Sequence, residues 1–311
     1  MSQTEQLIDK FSKFIYKHPG YSKALKVVRK SINNTGNSRQ PMSAVITGYT
    51  GTGKTTVIRH IIAEDYKKPS VVVNPGSVVR VVPAYHCTVP ADATIKALAT
   101  EMLKHLDEDD TSGNTIALTK RLSTLLKTCQ TQVIFLDEFQ HLLSKKARNG
   151  SDGVTDWVKT LMDETGVPVI IAGMPECAGI IDAHPQLAGR YPYRASLDLL
   201  PFQPNDNLYI SKTIQSFVKA IEMSMKIECV PKLYEEKYLA AIYVATGGNM
   251  RSIRQLFVET LSNAIQANRH QIIDEDLVAA VDVLTLNFRL TDENPFQNEH
   301  KKNMLIISKK K

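Results

Sequence analysis

The sequence predicts an α/β fold, a parallel sheet covered on both faces by helices, with a smaller all-helical region on its C-terminal side. Three observations carry that expectation. Apolar runs without polar alternation, at Val45-Ile46, Val133-Ile134-Phe135-Leu136 and Val169-Ile170-Ile171-Ala172, have the pattern of strands buried on both faces, and stretches of helical spacing separate them. A glycine-rich loop, Gly48-Tyr49-Thr50-Gly51-Thr52-Gly53-Lys54-Thr55, joins the first run to the first helix that follows it. From Leu200 onward only helical periodicity remains.

Taken in order, Leu7, Ile8, Phe11, Phe14 and Ile15 share one helical face, His18-Pro19-Gly20 interrupts it, and Tyr21, Ala24, Leu25, Val28 and Ile32 define a second helix. Asn33-Asn34-Thr35-Gly36-Asn37-Ser38 contains no apolar residue and reads as a linker. Met42 to Thr47 suits a buried strand, and Val57, Ile58, Ile61 and Ile62 mark the helix after the loop. Val71-Val72-Val73 reads as a strand ending in a turn at Asn74-Pro75-Gly76, and Val78 to Val82 as another. Thr88 to Asp92 starts a helix bearing Ile95, Leu98, Ala99, Met102 and Leu103, and a further helix runs from about Ile116 to Thr128 into the strand at Val133. Gln140-His141-Leu142-Leu143 opens a segment that turns polar and basic at Ser144 to Gly150. Trp157, Leu161 and Met162 mark the next helix, and Val167 to Gly173 the next strand. Four helices then run through Leu208–Ile221, Leu233–Ala245, Ile253–Ile265 and Leu277–Leu284, the third introduced by Thr246-Gly247-Gly248-Asn249 and carrying Arg251 and Arg254. Positive charge in a first turn opposes the helix dipole, so these arginines read as having a task outside their helix. The expected organisation is a basic helical segment over 1–40, an α/β domain over 41–200, a helical lid over 201–286 and a basic, mobile tail over 287–311.

At 311 residues with 43% hydrophobic content, the chain can bury a sizeable core. No apolar run approaches a membrane span and the N-terminus opens on polar Ser2-Gln3-Thr4-Glu5, so a cytosolic protein is expected. Cys87, Cys129, Cys177 and Cys229 are far apart, without metal-ligand spacing, and read as reduced, mostly buried thiols. The net charge of +6 resides in residues 1–40, where eight Lys or Arg face two acids, Glu5 and Asp9. A polyanion partner fits that surplus.

The glycine-rich loop matches a phosphate-binding P-loop at every required position, with Thr56 directly after it. Its glycines let backbone amides turn toward a phosphate at a helix N-terminus, where partial positive charge favours an anion. Lys54 is placed to reach the β- and γ-phosphates of ATP, and the Thr55 hydroxyl to ligate Mg²⁺. The strand at Val133 delivers Asp137 and Glu138 to its carboxyl end, where ligands bind in such sheets. Asp137 then holds Mg²⁺ through its water shell, and Glu138 activates the attacking water.

A P-loop sheet domain followed by a helical lid with an arginine early in its third helix resembles the AAA+ ATPases. Within them, Leu136-Asp137-Glu138-Phe139-Gln140-His141-Leu142 and Ile171-Ala172-Gly173-Met174-Pro175-Glu176 resemble the transposition regulators of the TnsC and TniB group of Tn7-like transposons, relatives of MuB. The resemblance covers roughly residues 40 to 285. It implies an ATPase that assembles into a ring or helical filament on duplex DNA. It also implies a link between a target selector, of the TniQ or TnsD type or an RNA-guided complex, and a TnsB-like DDE transposase. It further implies ATP held between subunits, an arginine finger from the neighbour at Arg190, with Arg194 as second choice, and a nucleotide-sensing lid arginine at Arg251. Met174 stands where the family often has threonine, and it lacks a hydroxyl to bond a water or phosphate, which points to slow hydrolysis with ATP as an assembly switch. Lys145, Lys146 and Arg148, with Lys96 as a lesser candidate, are the expected phosphate contacts to DNA. A helicase loader and a DNA-independent signalling NTPase are the competing readings of the same motifs.

Overall fold

The computed structural model describes residues 3–36, 40–74, 77–91, 93–143, 150–203 and 207–309. The chain divides into two compact units, Pro19–Asp198, and Met1–His18 together with Leu199–Lys311. Helix α1 (Gln3–Ser12) belongs to the second unit, so the basic segment expected over 1–40 is shared between the two.

The first unit is built on a five-stranded parallel sheet. Its elements in chain order are α2 (Pro19–Thr35), β1 (Ala44–Thr47), α3 (Lys54–Asp65), β2 (Ser70–Asn74), β3 (Ser77–Val81), β4 (Ala84–Thr88), α4 (Ile95–His105), α5 (Thr115–Thr128), β5 (Val133–Asp137), a 3-10 turn (Phe139–Leu143), α6 (Gly150–Thr165), β6 (Val169–Gly173), α7 (Glu176–Ala183), α8 (Pro185–Ala188) and β7 (Tyr193–Ser196). The strand order is β4-β5-β6-β1-β7, with Val45 paired to Ile171 on one side and to Arg194 on the other. Successive strand residues point to opposite faces, and the core separates accordingly. Ala44, Ile46, Val133, Phe135, Ile170 and Ala172 pack with Tyr21, Ala24, Leu25 and Val28 of α2 and Val57, Ile58 and Ile61 of α3. Val45, Ile134, Leu136, Val169 and Ile171 pack with Leu98, Met102, Leu118, Leu122, Val158 and Leu161 of α4, α5 and α6. Two buried faces are why these strands are continuously apolar.

Two expected strands do not join this sheet. Among the described residues β2 and β3 pair with each other alone, antiparallel, Val72 opposite Val79, and Val71, Val73 and Val78 are exposed. The edge position is taken by β4, Ala84-Tyr85-His86-Cys87-Thr88, a segment whose composition gives little strand signal. α2 extends through Asn33, Asn34 and Thr35, so three residues read as linker are helical, the Thr35 hydroxyl bonding the Ser31 and Met42 carbonyls.

The second unit is helical: α1, α9 (Leu208–Met225), α10 (Glu236–Thr246), α11 (Met250–Gln266), α12 (Asp274–Val283) and α13 (His300–Ser308), with β8 (Glu228–Cys229) and β9 (Gln271–Ile272) forming a short parallel pair. Phe11 of α1 is buried among Phe217 and Phe257, with ring centroids 5.7 and 6.5 Å away. These edge and tilted contacts tie the first helix to α9 and α11. The segment expected as a mobile tail forms α13 instead, and Ile307 is buried in the same core. The turn into α11 needs its glycines: Gly247 and Gly248 have φ of +56° and +72°, and a Cβ on Gly248 would meet the Leu200 carbonyl oxygen at 2.1 Å. Among the described residues no helix is long and apolar enough to cross a membrane.

Candidate nucleotide site

The residues singled out in the two acidic and glycine-rich motifs converge at the carboxyl ends of β1, β5 and β6. Gly48 leaves β1 so close to β7 that a Cβ would lie 2.3 Å from the Leu197 carbonyl oxygen, and its N–H donates to Gly173 O at 3.1 Å. Gly51 and Gly53 take φ of +84° and +107°, and Gly53 is the residue from which α3 starts. Only glycine adopts such angles without strain, so the loop can wrap tightly and aim the first amides of α3 at an anion. Thr52 is buried and bonds the Tyr49 carbonyl at 2.8 Å, which closes the turn from inside, while Tyr49 is exposed. The Thr50 hydroxyl lies 3.9 Å from the Met174 sulfur, and the Thr56 carbonyl accepts from the Tyr21 hydroxyl at 3.5 Å.

Lys54 is only 4% exposed, and its ammonium donates to the Gly48 and Tyr49 carbonyls at 2.7 and 3.2 Å. A buried ammonium among the carbonyls of such a loop is suited to an anionic ligand. The Thr55 hydroxyl donates to Asp137 Oδ2 at 2.5 Å, and Asp137 Oδ1 accepts the Glu138 N–H at 2.9 Å. Burial by itself raises the Asp137 carboxyl, but the hydrogen bonds from the Thr55 hydroxyl and the Glu138 amide, with His86 nearby, outweigh it and hold the group below its ordinary value. An ionised carboxylate beside a threonine hydroxyl at a phosphate loop is the donor set a hard divalent cation takes. The residues present therefore fit Mg²⁺ and a nucleoside triphosphate.

Glu138 has φ of +54°, so the chain leaves β5 through a left-handed residue rather than continuing the strand. Its carboxylate is held by a side chain outside the expected set: Gln140 Nε2 donates to Glu138 Oε2 at 2.5 Å, while Gln140 Oε1 accepts the Met174 N–H at 3.1 Å. The signal for Gln140 was its place two residues after the acidic pair. His86 was missed altogether. It stands on β4 with Nε2 3.9 Å from Asp137 Oδ2, beyond hydrogen-bond distance, and nothing in the sequence near it marks a site.

The arginines are placed differently from one another. Arg190 is 8% exposed and its guanidinium pairs with Asp163 of α6. Arg194 lies within β7; its Nε donates to Tyr191 O at 2.7 Å and its guanidinium meets Asp182 at 2.8 Å, with about a third of the side chain exposed. Arg251 is in the helical unit, exposed at the start of α11, where Asn249 caps the helix by accepting from the Arg251 and Ser252 amides. Lys96 is exposed in the first turn of α4. Lys145, Lys146 and Arg148 lie outside the described residues.

The sequence model of a family described as bacterial TniB protein matches residues 10–197. Among curated proteins no sequence match is found. Solved structures with the same architecture include Cdc6p from Pyrobaculum aerophilum, with a TM-score of 0.59 and 16% identity over 88% of this chain and 70% of that one. The Aeropyrum pernix ORC2 protein, solved as ADPNP-ADP complexes, has a TM-score of 0.60 and 12% identity over 88% and 70%. The Aeropyrum pernix ORC1 protein in complex with DNA has a TM-score of 0.58 and 16% identity over 89% and 68%. At such identities the likeness shows the fold, that of the AAA+ P-loop ATPases.

Proposed function

The chain belongs to the family of bacterial TniB proteins, and from that premise we propose that it is an ATP-dependent regulator of DNA transposition. It binds ATP with Mg²⁺, oligomerises on duplex DNA, and couples target-site selection to recruitment of a transposase. The observation that carries the reading is the Thr55–Asp137 contact of 2.5 Å between the phosphate loop and the acidic strand, with Glu138 next to it. It brings together two motifs 82 residues apart, which supports reading them as one triphosphate site.

In this reading the loop amides and Lys54 bind the phosphates, and Thr55 with Asp137 holds the cation. Bound Mg²⁺ neutralises charge on the phosphoryl oxygens. Glu138 orients a water whose oxygen bonds to the γ-phosphorus as the bond from that phosphorus to the β–γ bridging oxygen breaks. ADP leaves with the electron pair, and the water's proton passes to Glu138 and then to solvent, leaving inorganic phosphate. Of the two finger candidates we favour Arg194 over Arg190, because a finger must extend to a neighbouring subunit and the Arg190 guanidinium would first have to leave its buried position and its pair with half-exposed Asp163. DNA contact is assigned to Lys145, Lys146 and Arg148, with Lys96 in support; phosphate contact without base readout suits a protein whose targeting is delegated to a partner.

The test is ATPase activity and sedimentation with and without duplex DNA. ATP-dependent co-sedimentation with duplex and stimulated turnover are expected. Assembly and turnover indifferent to duplex DNA would overturn the DNA-bound reading in favour of a signalling NTPase, and loading of a hexameric helicase on single strands would favour a loader.

A further inference from the structure

We propose that Gln140 is the positioning residue of ATP hydrolysis: through its side-chain amide it sets where the Glu138 carboxylate stands relative to the phosphate loop. The inference rests on the nucleotide-hydrolysis reading above and extends it to a residue that contacts neither phosphate nor cation in that scheme.

Glu138 needs such a holder. Its left-handed backbone breaks the strand direction that places Asp137, so the main chain alone does not aim its side chain along the sheet edge. Gln140 supplies the lateral hold in one orientation only. The Met174 N–H can be bonded by an acceptor, so Oε1 faces it at 3.1 Å, which leaves Nε2 toward Glu138 Oε2 at 2.5 Å. Rotating the amide by half a turn would set NH₂ against N–H and a carbonyl oxygen against a carboxylate. The bond to an ionised acceptor is of the stronger kind.

The same amide also connects Glu138 to the P-loop. Gly48 N–H donates to the Gly173 carbonyl at 3.1 Å, the next residue is Met174, and its N–H is the one Gln140 accepts. Gly48, the end of β6, Gln140 and Glu138 thus form one continuous hydrogen-bonded path. Gly173 makes room for it: a Cβ there would lie 2.9 Å from Gln140 Oε1 and 2.5 Å from Cys177 Sγ. The Met174 side chain at the strand end offers no donor of its own to a water or a carboxylate, so the amide of Gln140 is the group that fixes the base.

The test uses the full chain with ATP, Mg²⁺ and duplex DNA. Gln140→Leu keeps the volume and removes both hydrogen bonds. It is expected to lower kcat about 10- to 100-fold, the scale for misplacing a reacting group by about an ångström, with KM, nucleotide affinity by fluorescence titration and melting temperature close to wild type. In a Glu138→Gln background the same change is expected to alter residual turnover less than about twofold, because residues acting as a unit are non-additive. Gly173→Ala combined with Cys177→Ala, which relieves the sulfur clash and keeps the one with Oε1, is expected to reproduce the kcat loss. Wild-type kcat in Gln140→Leu alongside a dead Glu138→Gln overturns the role of Gln140 and leaves the ATPase reading standing. Loss of nucleotide affinity or of melting temperature in Gln140→Leu makes the residue structural and also overturns it. A wild-type chain without turnover overturns the ATPase reading and the role of Gln140 with it, whereas a fully active Glu138→Gln variant overturns the roles of Glu138 and Gln140 and leaves the ATPase reading standing.

Discussion

Replacing Arg190 and Arg194 in turn separates a structural ion pair from the proposed finger. Arg190 is about nine-tenths buried against α6 and paired with Asp163, whose own side chain remains 46% exposed. Removing one partner of a fully buried pair costs about 3–5 kcal/mol. Here Asp163 can return to water once Arg190 is gone, so the loss in Arg190→Ala is expected at about 1–3 kcal/mol, part of it from the apolar stem of the arginine. For a unit of this size that lowers the melting temperature by roughly 2 to 4 °C per kcal/mol. Arg194 and Asp182 are 32% and 61% exposed, and an exposed pair contributes under about 1 kcal/mol, so Arg194→Ala is expected to melt close to wild type. Its effect should fall on assembly-dependent turnover. Mixed with Lys54→Ala protein, Arg194→Ala is expected to recover part of the ATPase activity, since an intact P-loop can then face an intact arginine. Thermal or urea unfolding of the free subunit, followed by this mixing assay, checks both halves. Equal destabilisation by the two variants, or recovery with Arg190→Ala and none with Arg194→Ala despite confirmed co-assembly, would refute the reasoning.

Lys54→Ala is expected to abolish measurable ATP binding by calorimetry, whereas Glu138→Gln should bind ATP normally and lose about 10²- to 10⁴-fold in turnover; nucleotide-dependent assembly, followed by sedimentation, is then lost in the first and prolonged in the second. The triple change of Lys145, Lys146 and Arg148 to Ala is expected to weaken binding to unrelated duplexes alike, reducing the slope of log affinity on log salt by about 0.9 per lost phosphate contact, with ATP affinity of the free subunit unchanged. An unaltered slope would move the DNA surface elsewhere, first to the basic residues of 1–40. Gly248→Ala is expected to destabilise the helical unit by about 1–3 kcal/mol in chemical unfolding, because the new Cβ meets the Leu200 carbonyl at 2.1 Å in a backbone that side chains rarely adopt; wild-type stability would refute that contact.

The P-loop and the acidic strand were legible in the sequence because their physics is local. A loop that needs glycine at positive φ, a helix that must start at Lys54, and a strand buried on both faces each leave their requirement in consecutive residues. The same holds for α9 to α12, whose apolar stripes repeat every turn. What the sequence left open was decided by tertiary placement. Val71 to Val73 and Val78 to Val81 have stronger strand propensity than Ala84 to Thr88, yet the valines form an exposed hairpin and β4 takes the sheet edge beside β5, because membership in a sheet depends on which partner backbone is within reach. α13 has a weak apolar pattern and forms against a surface that the other helices provide, which the segment by itself does not encode. Arg190 and Arg194 look alike in sequence; only the fold buries the first, paired with Asp163, and leaves the other a third exposed. Gln140 shows the same division. Its proximity to Glu138 is written in the chain, but its hold on Met174, 34 residues further on, exists only once β5 and β6 lie side by side.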